Sequence, residues 1–305
     1  MRVRLKSILC ATDLSDYANT TVTYGVALAR EFTAKLYLCH VIDEPSVALY
    51  GDASLNVIEK QSQIMDFVQS RFEEMIGEEK VNWEPLITIG KSADEITRMA
   101  GEKNVDMVIS ATHGRSGIKR LILGSVTERL VRTLPCPLLT VRGGETEPET
   151  SGGAPFRLKR ILVGCDFSRD SELAFQYALS LAQEFEADLH LVHVVEPPIY
   201  LDLLKISIEQ RRELQQELRA NLRDRLDQLV PEQARHWCRP QASLLDGQPF
   251  GELSDYAASH DIDLIVLGVR GHTLTETLFV GSTTDRVLRR AACPVLSVRP
   301  KNLPL

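Results

Sequence analysis

Short apolar runs alternate with longer stretches of helical periodicity along this chain, and the whole alternation occurs twice. "SILCAT" reads as a buried strand, "DYANTTVTYGVALAREF" carries the spacing of an amphipathic helix, and "AKLYLCHVI" is the next strand. A long polar-to-amphipathic stretch follows, 52–77 in the first half and 202–229 in the second, and predicts a helix. Its second copy is the clearer one, with Leu214, Leu218, Leu222, Leu226 and Leu229 marking one face. Then come a short strand ("NWEPLITIG"; "CRPQASLLDG") and a helix beginning "SADEITRMA" or "PFGELSDYAAS". A fourth strand leads into a Gly-containing loop, and a last helix and strand ("CPLLTVR"; "CPVLSVR") close the unit. Strands alternating with helices predict α/β units, each a doubly wound, mainly parallel sheet of five strands.

The repetition is explicit in the residues. Residues 6–42 lie over 159–195 without a gap, with 15 identities in 37 positions at an offset of 153. Residues 106–142 lie over 263–299 at an offset of 157, so the second copy carries a small net insertion between about 196 and 247. "GGETEPETSGGAPF", 143–156, has the composition of a linker. The predicted organisation is one domain over 1–142, a linker over 143–157 and a second domain over 158–305. The apolar last strands suggest that the halves pair through them as an internal pseudo-dimer.

Composition narrows the function classes. The chain has 305 residues, 44% hydrophobic and 25% charged, with a formal charge of −7. That acidity, without a basic stripe, argues against nucleic acid as a partner. The apolar part of "MRVRLKSILCATD" is too short for a signal-peptide core, and no run approaches the roughly 18 apolar residues of a membrane span. The expected compartment is the cytoplasm, with no membrane partner. Six cysteines include no C-x-x-C pair; Cys10, Cys39 and Cys165 sit in or beside apolar runs and read as small hydrophobes.

In an open parallel sheet, ligands bind beyond the carboxyl ends of the strands at the crossover point. Two features of each half fall there: the acid ending strand one (Asp13; Asp166) and the loop after strand four. That loop enters a helix near Gly124-Ser125 or Gly281-Ser282, where unpaired N–H groups and the helix dipole favour an anion. Phosphates on the loop and a base or ribose near the acid would suit a nucleotide. Structural readings stand beside this one: Ser125 and Ser282 as N-caps, the glycines as turn residues, Asp13 and Asp166 as caps. His40 and His193 ("LCHV", "LVHV") read as polar residues closing a strand, with a catalytic base as the alternative.

Both halves resemble the universal stress protein (UspA-type) family, with its Rossmann-like, adenine nucleotide α-hydrolase-like fold. The nucleotide-binding branch carries G-x2-G-x9-G-[ST]. The second half matches it at Gly268, Gly271, Gly281 and Ser282; the first reads Ala111, Gly114, Gly124 and Ser125. The strand-one Asp, the strand-two "HV" and the terminal "CP(L/V)L(T/S)VR" complete the likeness in both halves. The resemblance implies ATP, or AMP or ADP, with or without Mg²⁺, in stress-related regulation, and association through the last strands; a homodimer is expected besides. Asp13 and Asp166 would face adenine or ribose, with Val41 and Val194 beside the base. Gly114, Gly124, Ser125 and Val126, and likewise Gly271, Gly281, Ser282 and Thr283, would cradle phosphates. Gly268 would admit the ribose closely. Arg115, Lys119 and Arg120 in the first loop, and Arg270 and His272 in the second, favour phosphate, while Glu276 opposes it. No G-x4-G-K-[ST], H-x-G-H or S-G-G-x-D-S occurs, and each half offers a single Asp to a metal. The expectation is a nucleotide-binding regulator with at most slow ATP hydrolysis; the alternative is a non-nucleotide interaction module of the same fold.

Overall fold

The computed structural model describes residues 3–42, 57–112, 123–142, 158–196, 207–271 and 280–300. One compact unit holds the described residues from Arg4 to Arg142, the other those from Leu158 to Gly271 and Gly281 to Val298. The first unit runs β1 (Ser7–Ala11), α1 (Asp16–Phe32), β2 (Lys35–Ile42), α2 (Val57–Ile76), β3 (Trp83–Ile89), α3 (Ser92–Glu102), β4 (Met107–Ala111), α4 (Ser125–Thr133) and β5 (Leu138–Val141). The second repeats it as β6 (Arg160–Gly164), α5 (Arg169–Phe185), β7 (Asp188–Val195), α6 (Ile208–Leu229), β8 (Pro240–Asp246), α7 (Pro249–Ser259), β9 (Leu264–Gly268), α8 (Ser282–Arg290) and β10 (Val295–Val298). A 3₁₀ turn, Glu232–His236, precedes β8. No helix among the described residues is long and apolar enough to cross a membrane.

Within each unit every pairing is parallel, and the strand orders are 3-2-1-4-5 and 8-7-6-9-10. Helices cover both faces, so the central strands are buried on both sides, which is why they read as unbroken apolar runs. Ile8, Leu9, Cys10, Ile161, Leu162 and Val163 are fully buried. The amino ends of the central pair are tied by a carboxylate. Asp106 accepts the N–H groups of Lys6 and Ser7 at 2.9 and 3.2 Å, and Asp263 accepts those of Lys159 and Arg160 at 2.7 and 2.8 Å.

Five cysteines are buried and one, Cys293, is half-buried. Burial pushes the Cys39 and Cys165 thiols up to about 12, so they pack as neutral hydrophobes.

Two details depart from a simple reading of periodicity. Only Leu222 and Leu226 of the leucine face are buried, whereas Leu214 and Leu218 are 46% and 44% exposed. The helix is longer than its support: its 22 residues span about 33 Å, against about 23 Å for the seven residues of β8. Arg219 pairs with Asp246, the last residue of β8, at 2.6 Å. Because α6 runs back from the carboxyl edge, its turns before Arg219 project beyond that edge. The second departure is Gly268. A side chain there would meet the backbone of Asp170 and Ser171 at 2.7 and 2.8 Å, so the missing Cβ gives the first turn of α5 room. Gly268 serves helix-on-strand packing.

His190 on β7 is buried, with Nδ1 3.0 Å from the Tyr256 hydroxyl and no hydrogen-bond partner for Nε2. Burial, then the neighbouring His260, holds its pKa below the ordinary imidazole value; Asp188 opposes this and Arg160 adds to it. The unfolded chain therefore binds a proton more readily than the folded one. The contribution of His190 is complete above the ordinary pKa near 6.5 and is lost as pH falls below it. His190→Gln is expected to flatten the loss of the second unit's urea midpoint between pH 7 and 5; equal slopes for variant and parent would refute this. Gly268→Ala should lower that unit's stability by about 1–3 kcal/mol, as overpacking does, measured by urea unfolding at pH 7.

Candidate functional site

The two units build the same corner at the carboxyl edge of β1 and β6. β1 gives way to Thr12-Asp13-Leu14-Ser15 and β6 to Cys165-Asp166-Phe167-Ser168. Asp13 Oδ1 accepts the N–H of Ser15 at 3.0 Å, and Asp166 Oδ1 that of Ser168 at 2.9 Å. Each carboxylate thus closes a turn two residues long, and the helix caps proper are Ser15 and Ser168. Ser168 caps fully, its hydroxyl accepting from the N–H of Ser171 at 3.2 Å; the Ser15 hydroxyl instead donates to Asp13 Oδ1 at 2.5 Å. Between acid and serine, Leu14 and Phe167 both sit at φ 62°, a left-handed conformation that disfavours large side chains.

His40 and His193 brace these corners. Their Nδ1 atoms lie 2.9 and 2.6 Å from the carbonyl oxygens of Thr12 and Cys165. A carbonyl only accepts, so Nδ1 carries the proton; in the neutral ring that leaves Nε2 as the acceptor. This is the strand-closing role, and Val41 and Val194 follow one residue later at the sheet's carboxyl edge. In the second unit the Phe167 ring lies 5.0 Å from the His193 ring, and the Arg225 guanidinium of α6 stands 4.0 Å above Phe167. The cation and the histidine hold the strained residue in place.

The loop that follows strand four ends at an open helix terminus. Gly124 and Gly281 are the N-caps, with no side-chain cap, and their N–H groups donate to the carbonyls of Thr112 and Val269 at 2.8 Å. Ser125 and Ser282 are therefore the first helical residues, not caps, and both are exposed. Helix geometry leaves the N–H groups of 125–127 and 282–284 without an intrahelical acceptor and aims them outward. Val126 and Thr283 are half-buried beside them. The acids of the first turn are tied up: Glu128 accepts from Arg132 at 2.7 Å, and Asp285 from Arg289 through two bonds of 3.1 Å. The positive end of each helix thus faces a weakened opposing charge.

One pair of residues fixes these helices and carries no sequence prediction. Thr127 and Thr284 donate to the carbonyls of Ala111 and Gly268, each at 2.7 Å, bolting the helix start to the end of strand four. The signal was a threonine three places after the glycine in both halves, "GSVT" and "GSTT".

In the second unit the expected residues converge. A side chain on Gly271 would meet Asp166 Oδ2 at 2.7 Å, and one on Gly281 would lie 3.8 Å from the Gly271 nitrogen. Asp166, Gly271, Gly281 and Ser282 therefore form one contiguous surface. Arg270, expected to favour phosphate, is committed elsewhere: its guanidinium meets Asp170 with Nε–Oδ2 at 3.1 Å and Nη2–Oδ1 at 3.3 Å. In the first unit Asp13, Val41, Gly124, Ser125 and Val126 share the same edge, while Gly114, Arg115, Lys119 and Arg120 lie outside the described residues, as do His272 and Glu276.

The comparisons with known proteins match the two halves of the chain separately. A family model described as the universal stress protein family matches residues 4–142 and again 157–299. A universal stress protein of Methanocaldococcus jannaschii is 32% identical over 148 residues, covering 47% of this chain and 85% of that protein. A second from the same organism is 29% identical over 158 residues, covering 47% of this chain and 98% of that one. Each such relative thus corresponds to about half of the chain. Among solved structures, a universal stress protein from Archaeoglobus fulgidus covers 96% of this chain and 98% of its own, with a TM-score of 0.70 at 20% identity, a likeness of fold. With a match in each half, the chain belongs to the universal stress protein family as a tandem of two such domains.

Proposed function

We propose that this chain binds an adenine nucleotide, ATP or its mono- or diphosphate, and acts as a regulatory protein in stress response. The observation that carries the reading is the repeated corner. Two halves that differ at most positions both set an uncapped helix terminus with an exposed serine on the edge that carries a strand-one carboxylate. First-turn N–H groups that have no intrahelical acceptor suit phosphate oxygens, and a carboxylate suits ribose hydroxyls or the exocyclic amine of adenine. Ser125, Val126, Ser282 and Thr283 would take the phosphates with Gly124, Gly271 and Gly281, and Gly114 and Arg115 would complete the first loop. Asp13 and Asp166 would face the nucleoside, with Val41 and Val194 against the base. Among the described residues no group of three metal-ligating side chains occurs, so any Mg²⁺ would be held chiefly by the nucleotide's own phosphates. A cytoplasmic location, pairing through "LLTV" and "VLSV", and a homodimer belong to the same reading.

Freshly purified protein, heat-denatured, should release an adenine nucleotide identifiable by mass, and the stripped protein should bind ATP in calorimetry. Ser125→Glu and Ser282→Glu place a carboxylate at the first helical position. Each should weaken ATP binding in its own unit by about tenfold or more. No released nucleotide together with no heat of ATP binding would leave the interaction module as the better description.

A further inference from the structure

The second unit contains a buried ion pair at the entrance of its loop. The side chains of Arg270 and Asp170 are 13% and 6% exposed, and the carboxylate grips the backbone as well as the guanidinium. Arg270 N–H donates to Asp170 Oδ2 at 3.2 Å, beside the two guanidinium bonds. The backbone carbonyl of residue 270 accepts from the Ser168 hydroxyl at 3.3 Å. Every polar group of Arg270 that these bonds engage is thus held by the first turn of α5, with Gly268 giving that turn room to approach. At the matching positions, by the offsets of 153 and 157, the first half has Tyr17 and His113 and so lacks the carboxylate.

We infer that Asp170 is a positioning residue for phosphate binding in the second unit. It holds residues 268–271 in the conformation that sets Gly271 between Asp166 and Gly281, and Arg270 is its strut, not a phosphate ligand. The inference rests on the adenine-nucleotide reading. A loop fixed before the ligand arrives loses no ordering entropy on binding, so its release appears as lost affinity. The loss falls on phosphate-bearing ligands, because the anchored segment ends in Gly271, which belongs to the phosphate set in that reading, 3.8 Å from where a side chain on Gly281 would begin.

The test uses the full chain with Ser125→Glu, which leaves the second unit as the ATP site. In that background Asp170→Asn should lower ATP affinity by about tenfold while adenosine affinity stays within about twofold. The double variant Asp170→Leu with Arg270→Met removes both charges together and avoids leaving a buried cation alone; it should show the same split even if the single variant does not fold. Without ligand, the Arg270 amide should exchange hydrogen slowly in the parent and fast in the double variant. ATP affinity that is unchanged or raised would overturn the inference, a rise meaning that Asp170 withholds Arg270 from phosphate. So would equal losses for ATP and adenosine, which describe a general structural role, or a rapidly exchanging Arg270 amide in the parent. Failure of the reading itself looks different: the unsubstituted chain would bind neither ATP nor adenosine, and the inference would fall with it.

Discussion

The parallel pairing of β1 with β4, and of β6 with β9, is the contact from which the rest of each unit follows. The chain leaves β1 toward β2 and β3 on one side and must return across the sheet to form β4 on the other. That reversal parts the connecting segments above the carboxyl ends and leaves an edge where two loops face each other. Its register is held at both ends. Asp106 and Asp263 tie the amino ends of the paired strands, while Thr127 and Thr284 bond the carbonyl that closes strand four. Since the last helix begins on that same carbonyl, the position of its open terminus is set by the sheet and not by the loop before it.

The strand-one corner shows what holding an acid at that edge requires. A left-handed Leu14 or Phe167 costs about 1–2 kcal/mol relative to an extended residue. The strain is offset locally by the Asp-closed turn and by the histidine that binds the preceding carbonyl. A glycine at this position would relieve it. Both halves retain a large side chain instead, and in the second its ring contacts both His193 and Arg225.

The parallel α/β class, the helix positions and the twofold repeat were legible because strands buried on both faces must be continuously apolar and the helices around them must be amphipathic. The start of the last helix was legible to within about a residue, with Gly and not Ser as the cap. The reasons behind particular residues were not. The packing role of Gly268 was not legible, because a glycine in a loop motif carries no mark of what lies against it, and what lies against it is backbone about a hundred residues earlier. Arg270 looked available for phosphate for the same reason, its partner Asp170 being equally distant in sequence. The five-leucine stripe of α6 disclosed the period but not the length of its support, so two leucines that periodicity would bury are exposed. Periodicity reports which residues share a face; only the neighbouring strand decides how much of that face is covered.

Duplication gives these distinctions their meaning. What both halves keep (the strand-one acid, its histidine brace, the open helix terminus and the threonine bolt) is the minimum needed to present donors and a carboxylate along one edge. The sequences part at the approach to that terminus. The second unit replaces Tyr17 and His113 of the first with an acid and a base that neutralise each other inside the fold. Such a pair adds no net charge to the edge, and buried ion pairs of this kind are weak contributors to stability against an apolar pair of equal bulk. Its clear consequence is geometric: three hydrogen bonds on one carboxylate define a single backbone position at residue 270, which an apolar contact would leave free to slide. Tandem copies can therefore keep the same donors and still differ in how much order a ligand must impose, because the donors belong to the sheet and helix while the order belongs to the loop.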